Sequence, residues 1–218
     1  MKIKIIRISA GKVKDFAATE LQKYLLKMTG EKVEIQRKKR IKSLKERNIY
    51  LGLMGDFQTF LPHQRIDGDG FWVFSANGSL LLAGSNPRSA LYAVYDFLEE
   101  NGCRWLYPGK DGEFIPRKRN IQLGGYKIFR NAYLKHRGLC TEGSFNIAHL
   151  VNFIDWMAKK KMNHLFAQFE SLYFFYRRYE KNISLEKVRR WDKKLEEELH
   201  KRGLIFEKVG HGWINKAL

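Results

Sequence analysis

Residues 133–170 read YLKHRGLCTEGSFNIAHLVNFIDWMAKKKMNHLFAQFE. In the middle of this stretch Ile147, Leu150, Val151, Ile154, Met157 and Ala158 fall at i, i+3, i+4, i+7, i+10 and i+11, one apolar stripe at the 3.6-residue period of a helix. Beyond it the period drops to two, with Leu165, Ala167 and Phe169 on one side of a strand and His164, Phe166, Gln168 and Glu170 on the other. With a strand before the helix, the whole reads as one βαβ unit. Parallel strands covered on both faces read as continuous apolar runs, so the polar residues of this strand predict a solvated, functional face. A (β/α) barrel provides one: the outward face packs on helices and the C-terminal strand ends carry the active-site groups. Gln168 and Glu170 are then expected at a pocket mouth.

The chain has 218 residues, 44% hydrophobic and 14% aromatic, enough for one large domain or two small ones with a packed core. The N-terminal MKIKIIRISAGK lacks the apolar segment of a signal peptide. No stretch approaches the roughly 18 apolar residues of a membrane span. A cytoplasmic protein without a membrane partner is expected. Cys103 and Cys140 are far apart and in no CxxC spacing, which argues against a disulfide framework or a structural zinc site. Two buried thiols are expected, and no metal or other cofactor. The formal net charge is +18, and much of it lies in residues 37–47, RKKRIKSLKER. Such a run attracts phosphates. No aromatic residue interleaves it, so the base stacking of single-strand binders is absent. A solvated connector between two strands is preferred over nucleic-acid binding.

Taken in order, residues 2–8 predict a strand and residues 13–28 an amphipathic helix with Ala17, Leu21, Tyr24, Leu25 and Met28 on its stripe, stopped at Gly30. Residues 32–36 and 48–54 predict two further strands, and residues 56–70 a loop. Asn77-Gly78 between residues 71–76 and 79–83 is the dipeptide of a two-residue type I′ hairpin, in which both turn positions need positive φ. Asn86-Pro87 supplies an N-cap and first-turn pair for a helix carrying Leu91, Val94, Tyr95 and Leu98 and ending at Asn101-Gly102. Residues 120–123 read as a closing strand, with Gly124-Gly125 as a linker between domains 1–125 and 126–218. Ser184 caps a further helix with Leu185, Val188, Trp191, Leu195 and Leu199, and a strand at 204–209 runs into Gly210-His211.

Arg137-Gly138-Leu139, Glu142 and then FIDWMAKKKMN at 153–163 resemble the opening of the catalytic barrel in family-20 β-N-acetylhexosaminidases. The likeness extends to family-67 α-glucuronidases. Residues 69–109 resemble the small α/β domain that precedes the barrel in both groups, where it serves as a scaffold. On that scaffold Arg88 is expected to pair with a nearby acid rather than bind ligand, and Trp105 and Tyr107 to pack rather than stack on sugar. The fold class implied is α/β: a small hexosaminidase-like N-terminal α+β domain followed by an incomplete (β/α)8 TIM barrel.

The resemblance implies that Arg137 grips sugar hydroxyls, a role its guanidinium fork suits, with an ion pair to Glu142 as the alternative. Arg137, Glu142 and Gln168 are thus candidate substrate-binding residues. Glu170 and His211 are candidates for a supporting carboxylate–imidazole pair. The strand-two histidines of hexosaminidases are missing, so N-acetyl selectivity is not implied. The segment after residue 132 is about a third of the ~250 residues of a complete barrel. The usual route of glycoside hydrolysis needs two carboxyl groups, and one can be nominated here. The chain is therefore expected to be a truncated portion of a glycoside hydrolase, inactive alone, with an oligosaccharide as ligand and with self-association through open strand edges. The alternatives are a non-catalytic carbohydrate-binding or assembly module and a basic nucleic-acid binder.

Overall fold

The computed structural model describes residues 3–141, 147–167 and 182–208. The chain divides into two compact units, Met1–Leu106 with Gly112–Lys135, and Tyr107–Asp111 with His136–Leu218.

The first unit is built on a six-stranded sheet. Its strands are β1 (Lys4–Ile8), β2 (Glu34–Lys38), β3 (Asn48–Leu53), β4 (Gly70–Ala76), β5 (Ser79–Gly84) and β8 (Lys127–Asn131), in the order β2-β1-β3-β5-β4-β8. The first four in that order are parallel, and β4 runs antiparallel to both β5 and β8. A two-stranded ribbon, β6 (Arg104–Trp105) with β7 (Glu113–Phe114), completes the unit. The central strands are apolar without interruption: Ile49, Tyr50 and Leu51 of β3 and Leu80 to Ala83 of β5 are all buried. That is the pattern of strands covered on both sides.

Helix α1 (Lys12–Thr29) buries Ala17, Leu21, Tyr24, Leu25 and Met28, the expected stripe. It ends where Gly30, at φ 77°, turns left-handed and donates its N–H to Leu26 O. The hairpin forms as expected, with Asn77 at φ 49° and Gly78 at φ 69°. Helix α2 (Pro87–Glu100) starts where the Asn86 side chain accepts the Ser89 N–H at 2.9 Å. It is buried throughout from Ser89 to Leu98. Such close packing requires Gly84, because a Cβ there would overlap the Ala90 nitrogen. Trp105 lies edge-on to Tyr24 and Tyr95, with ring centroids 5.4 Å apart in each case, and donates its indole N–H to Tyr24 Oη.

The opposite face of the sheet carries Ile6, Ile8, Tyr50, Trp72, Leu81 and Ala83, and loops cover it. Ile41 and Leu44 from the basic run, with Met54, Phe60 and Leu61, pack on this cluster.

Three expectations are corrected. Residues 120–123 form no strand: the side chains of Ile121 and Leu123 are buried as anchors while their backbone joins no ladder. The Gly124-Gly125 pair does not end the unit, because Tyr126 O accepts the Ser75 N–H and β8 then pairs along β4, extending the first unit to Lys135. Of the two thiols only Cys103 is buried; Cys140 is exposed.

The second unit contains β9 (Gly138–Thr141), α3 (Ile147–Lys159), β10 (His164–Ala167), α4 (Leu185–His200) and β11 (Ile205–Lys208). The strands are parallel and adjacent in chain order, with β10 in the middle. Among the described residues, Leu150, Ile154, Met157 and Ala158 of α3, Leu165 of β10 and Val188, Leu195 and Leu199 of α4 are its buried apolar residues, together with Ile183 and Leu204. Ser184 caps α4 by accepting the Lys187 N–H.

Candidate functional site

Register places Gly138 beside His164 and Cys140 beside Phe166, with Ile205 and Glu207 matching them on β11. Side chains alternate along a strand, so Cys140, His164, Phe166, Ile205 and Glu207 share one face of the small sheet. Leu139, Leu165 and Phe206 share the other, and the burial of Leu165 marks it as the face covered by helices. The first face is the more open, with Gly138, Cys140, Ile205 and Glu207 exposed.

On this open face His164 Nε2 lies 2.7 Å from Glu207 Oε2. The His136 ring stands edge-on to His164, centroids 5.6 Å apart. A carboxylate in this position orients the imidazole ring. Sequence reasoning places His164 on the polar face but misses Glu207 and His136 as its neighbours, because the β10–β11 register brings Glu207 to it and the β9–β10 register brings His136.

Of the predicted site residues, Arg137 alone lies among the described residues. It stands immediately before β9, at the N-terminal edge of the strands. Its Nε–H donates to Lys161 O at 3.0 Å, and its backbone N–H donates to Asn163 Oδ1 at 2.8 Å. Asn163 is 1% exposed; its N–H returns a bond to Arg137 O and its own carbonyl accepts the Ile205 N–H. Arg137 and Asn163 thus link the starts of all three strands. Gly138 has an equally physical reason, since a Cβ there would overlap the His164 carbonyl. Glu142, Gln168, Glu170 and His211 lie outside the described residues. In sequence they follow β9, β10 and β11, whereas Arg137 precedes β9.

The rest of the 153–163 motif also maintains the fold. Asp155 is paired with Lys159 at 2.5 Å and with Arg202, beyond α4, at 2.7 Å. Burial by itself would raise the Asp155 carboxyl, but the charges and hydrogen bonds of Lys159 and Arg202 outweigh it and hold the group below its usual 3.8. In the first unit Arg88 pairs with Asp69 at 2.9 Å, as expected of a structural arginine. Trp105 is core and Tyr107 donates to Asp111 O, so both are engaged within the fold.

Among the described residues no group of three or more His, Cys, Asp or Glu could hold a metal ion, and no helix is long and apolar enough to cross a membrane.

Residues 2–97 match the family model described as the glycosyl hydrolase family 67 N-terminus. A search of curated proteins gave no match. Among solved structures, the chain is similar to BtGH115A, a GH115 4-O-methyl-α-glucuronidase with specificity for decorated arabinogalactans, at TM-score 0.64 and 14% identity, over 94% of this chain and 28% of that one. It is similar to the Streptomyces plicatus N-acetyl-β-hexosaminidase at TM-score 0.60 and 12% identity, over 95% of this chain and 41% of that one. It is also similar to a GH138 enzyme targeting pectin rhamnogalacturonan II, at TM-score 0.59 and 12% identity, over 98% of this chain and 25% of that one. The chain therefore spans between a quarter and about two fifths of the length of these structures, and at such identities the likeness is one of fold. Taken with the mostly parallel sheet and its two helices, the match over residues 2–97 and the likeness to these structures support a glycoside hydrolase-like N-terminal domain.

Proposed function

We propose that this chain is the scaffold domain and the opening βαβαβ segment of a carbohydrate-active glycoside hydrolase of hexosaminidase or α-glucuronidase type, in which β9, β10 and β11 are the first three strands of a (β/α) barrel. The observation that carries the reading is the order of those strands: parallel, adjacent in chain order, with connecting helices whose apolar stripes and Leu165 are buried together. A barrel grows by that arrangement. The face opposite the helices is then the barrel interior, and His164 with Glu207 line its wall.

In this reading Glu142, Gln168, Glu170 and His211 follow the C-terminal strand ends and supply substrate contacts, with Glu170 and His211 in a supporting role. Arg137 is positioned at the opposite strand ends in the described geometry, which supports a role in fixing the register of the three strands alongside any sugar contact. Hydrolysis by the usual route needs two carboxyl groups flanking the bond. The 218 residues by themselves are therefore expected to bind oligosaccharide without turning it over.

Calorimetry with a glucuronic acid-bearing xylo-oligosaccharide, run beside a turnover assay on aryl glycosides, tests this. Measurable binding that E170Q weakens, with no turnover above background, is the expected result. Turnover that survives E170Q would overturn the role of Glu170, and absence of binding to any oligosaccharide would overturn the carbohydrate reading.

A further inference from the structure

The basic run at 37–47 joins β2 to β3, two strands that flank β1, and it crosses the loop-covered face of the first sheet to do so. Ile41 and Leu44 turn inward onto the cluster of Ile6, Ile8 and Tyr50. The main chain is fixed at four places. Ser9 N–H donates to Lys38 O, Lys45 N–H to Tyr50 Oη, Ser79 Oγ to Lys45 O and Arg47 N–H to Gly78 O, all between 2.5 and 2.9 Å. The segment is thus an ordered strap with two apolar residues inside.

Lys38, Lys39, Arg40, Lys42, Lys45 and Arg47 are exposed on it. None of these six has an ion-pair partner among the described residues, whereas Arg37 reaches Asp15, and Lys4, Lys23, Lys27, Arg88 and Arg130 each have an acidic partner. Arg47 also lines a cleft of about 260 Å³ together with Lys32 and Arg119, where Glu31 is the single acid. Like charges held this close repel one another. A connector that only had to span the sheet would need Ile41 and Leu44 but no such excess of cations.

We propose that this strap and the adjoining cleft form a docking surface for an acidic polysaccharide, one carrying uronate carboxylates along its chain. The assignment rests on the carbohydrate-active reading given above, and it concerns a surface in the scaffold unit, separate from the β9–β11 face. Carboxylates suit the guanidinium forks of Arg40 and Arg47. A backbone already fixed loses little freedom on binding. The absence of aromatics from the strap removes the stacking platform that single-stranded nucleic acid uses.

The test is affinity electrophoresis of the whole chain through gels containing polygalacturonate, with neutral dextran and duplex DNA as comparison matrices, at low and high ionic strength. The triple variant K39E/R40E/K42E is compared with K12E/R117E/K127E, which makes the same change in net charge at exposed positions elsewhere in the first unit. Circular dichroism confirms that both keep the fold. The expected result is retardation by polygalacturonate but not dextran, weakened about tenfold or more in the strap variant, little changed in the other, and reduced by salt. Equal loss in both variants would show net charge alone at work and overturn the site. Retardation by DNA that the strap variant loses while keeping its polygalacturonate binding would overturn the choice of partner, and so would no retardation by polygalacturonate at low salt. Turnover is not read in this experiment, so a failed hydrolysis assay and a failed docking test remain separate results.

Discussion

Asp155 lies between two buried cations, Lys159 and Arg202, whose side chains are only 3% and 5% exposed. Removing its charge leaves both without this partner in a water-poor site, so Asp155→Asn is expected to destabilise the second unit by about 3 kcal/mol. The pH dependence comes from the direction of the shift. A carboxyl held below its usual value in the folded state binds its proton more readily when unfolded, so its contribution is present above the unfolded pKa near 3.8 and is lost as pH falls through the folded value. Urea midpoints measured between pH 7 and pH 2 should show a steep acid loss in the parent chain that is shallower in D155N. The two cysteines give a second prediction. Burial pushes the Cys103 thiol up to about 11, and its Sγ lies 3.7 Å from Met28 Sδ, whereas Cys140 is exposed. Only the thiolate reacts, so iodoacetamide should label Cys140 in the folded chain and reach Cys103 only after unfolding; labelling of both at one rate would contradict this arrangement. None of this is legible residue by residue. Arg137-Gly138, Asp155 and Asn163 stand out as a motif, but a motif does not say that its asparagine ties strand starts or that its aspartate pairs with an arginine 47 positions later. Such roles depend on which backbones become neighbours.

At the scale of elements, the start of α2 shows what local sequence does determine. Asn86 accepts the Ser89 N–H and also donates its Nδ2 to Asp69 at 2.8 Å, while Arg88 closes on the same carboxylate. One acid thereby holds the approach to β4 against the first turn of the helix. Asn86→Ala is expected to cost about 1–2 kcal/mol, the usual worth of an N-cap. Arg88→Met should cost more, about 3 kcal/mol, because the Asp69 side chain is 3% exposed and loses its charged partner. A double-mutant cycle between positions 69 and 88 in thermal or urea unfolding would check it; coupling near zero would mean the pair is incidental. The N-cap, the Asn77-Gly78 turn and the stripes of α1, α2 and α3 are all legible because each is a property of fewer than about twenty consecutive residues. The strap and β8 are not. Residues 37–47 read as charge, and the two apolar residues that fasten them have meaning only against Ile6, Ile8 and Tyr50. Residues 120–123 alternate as a strand does, yet Ile121 and Leu123 serve as side-chain plugs, while the pairing edge beside β4 is taken by Lys127–Asn131.

For the molecule as a whole, the question is where the first unit ends, and β8 decides it. Its pairing with β4 sets Phe129 against Trp72, ring centroids 4.9 Å apart, and Arg130 against Asp96 of α2 at 2.9 Å. β8 therefore contributes to both faces of the sheet, closing the loop-covered side with an aromatic ring and the helix side with an ion pair to a nearly buried carboxylate. A fragment ending at residue 125 would keep the Gly124-Gly125 pair but lose this strand, exposing the edge of β4 and taking Arg130 away from Asp96. A fragment ending at residue 135 keeps both. The longer fragment is expected to unfold cooperatively, with its two tryptophans, Trp72 and Trp105, in a water-poor environment. The shorter one should emit further to the red, because Trp72 loses its cover, and should be less stable by about 3 kcal/mol or more, the combined cost of an uncovered aromatic and a buried acid deprived of its arginine. Tryptophan emission followed through a urea titration of the two fragments measures both quantities at once. Equal midpoints and equal emission would place the end of the unit at the glycine pair and reduce β8 to an ornament of the sheet edge. A shift confined to the shorter fragment would make residues 127–131 an integral strand of the scaffold unit, and the linker to the β9–β11 unit would then lie after them.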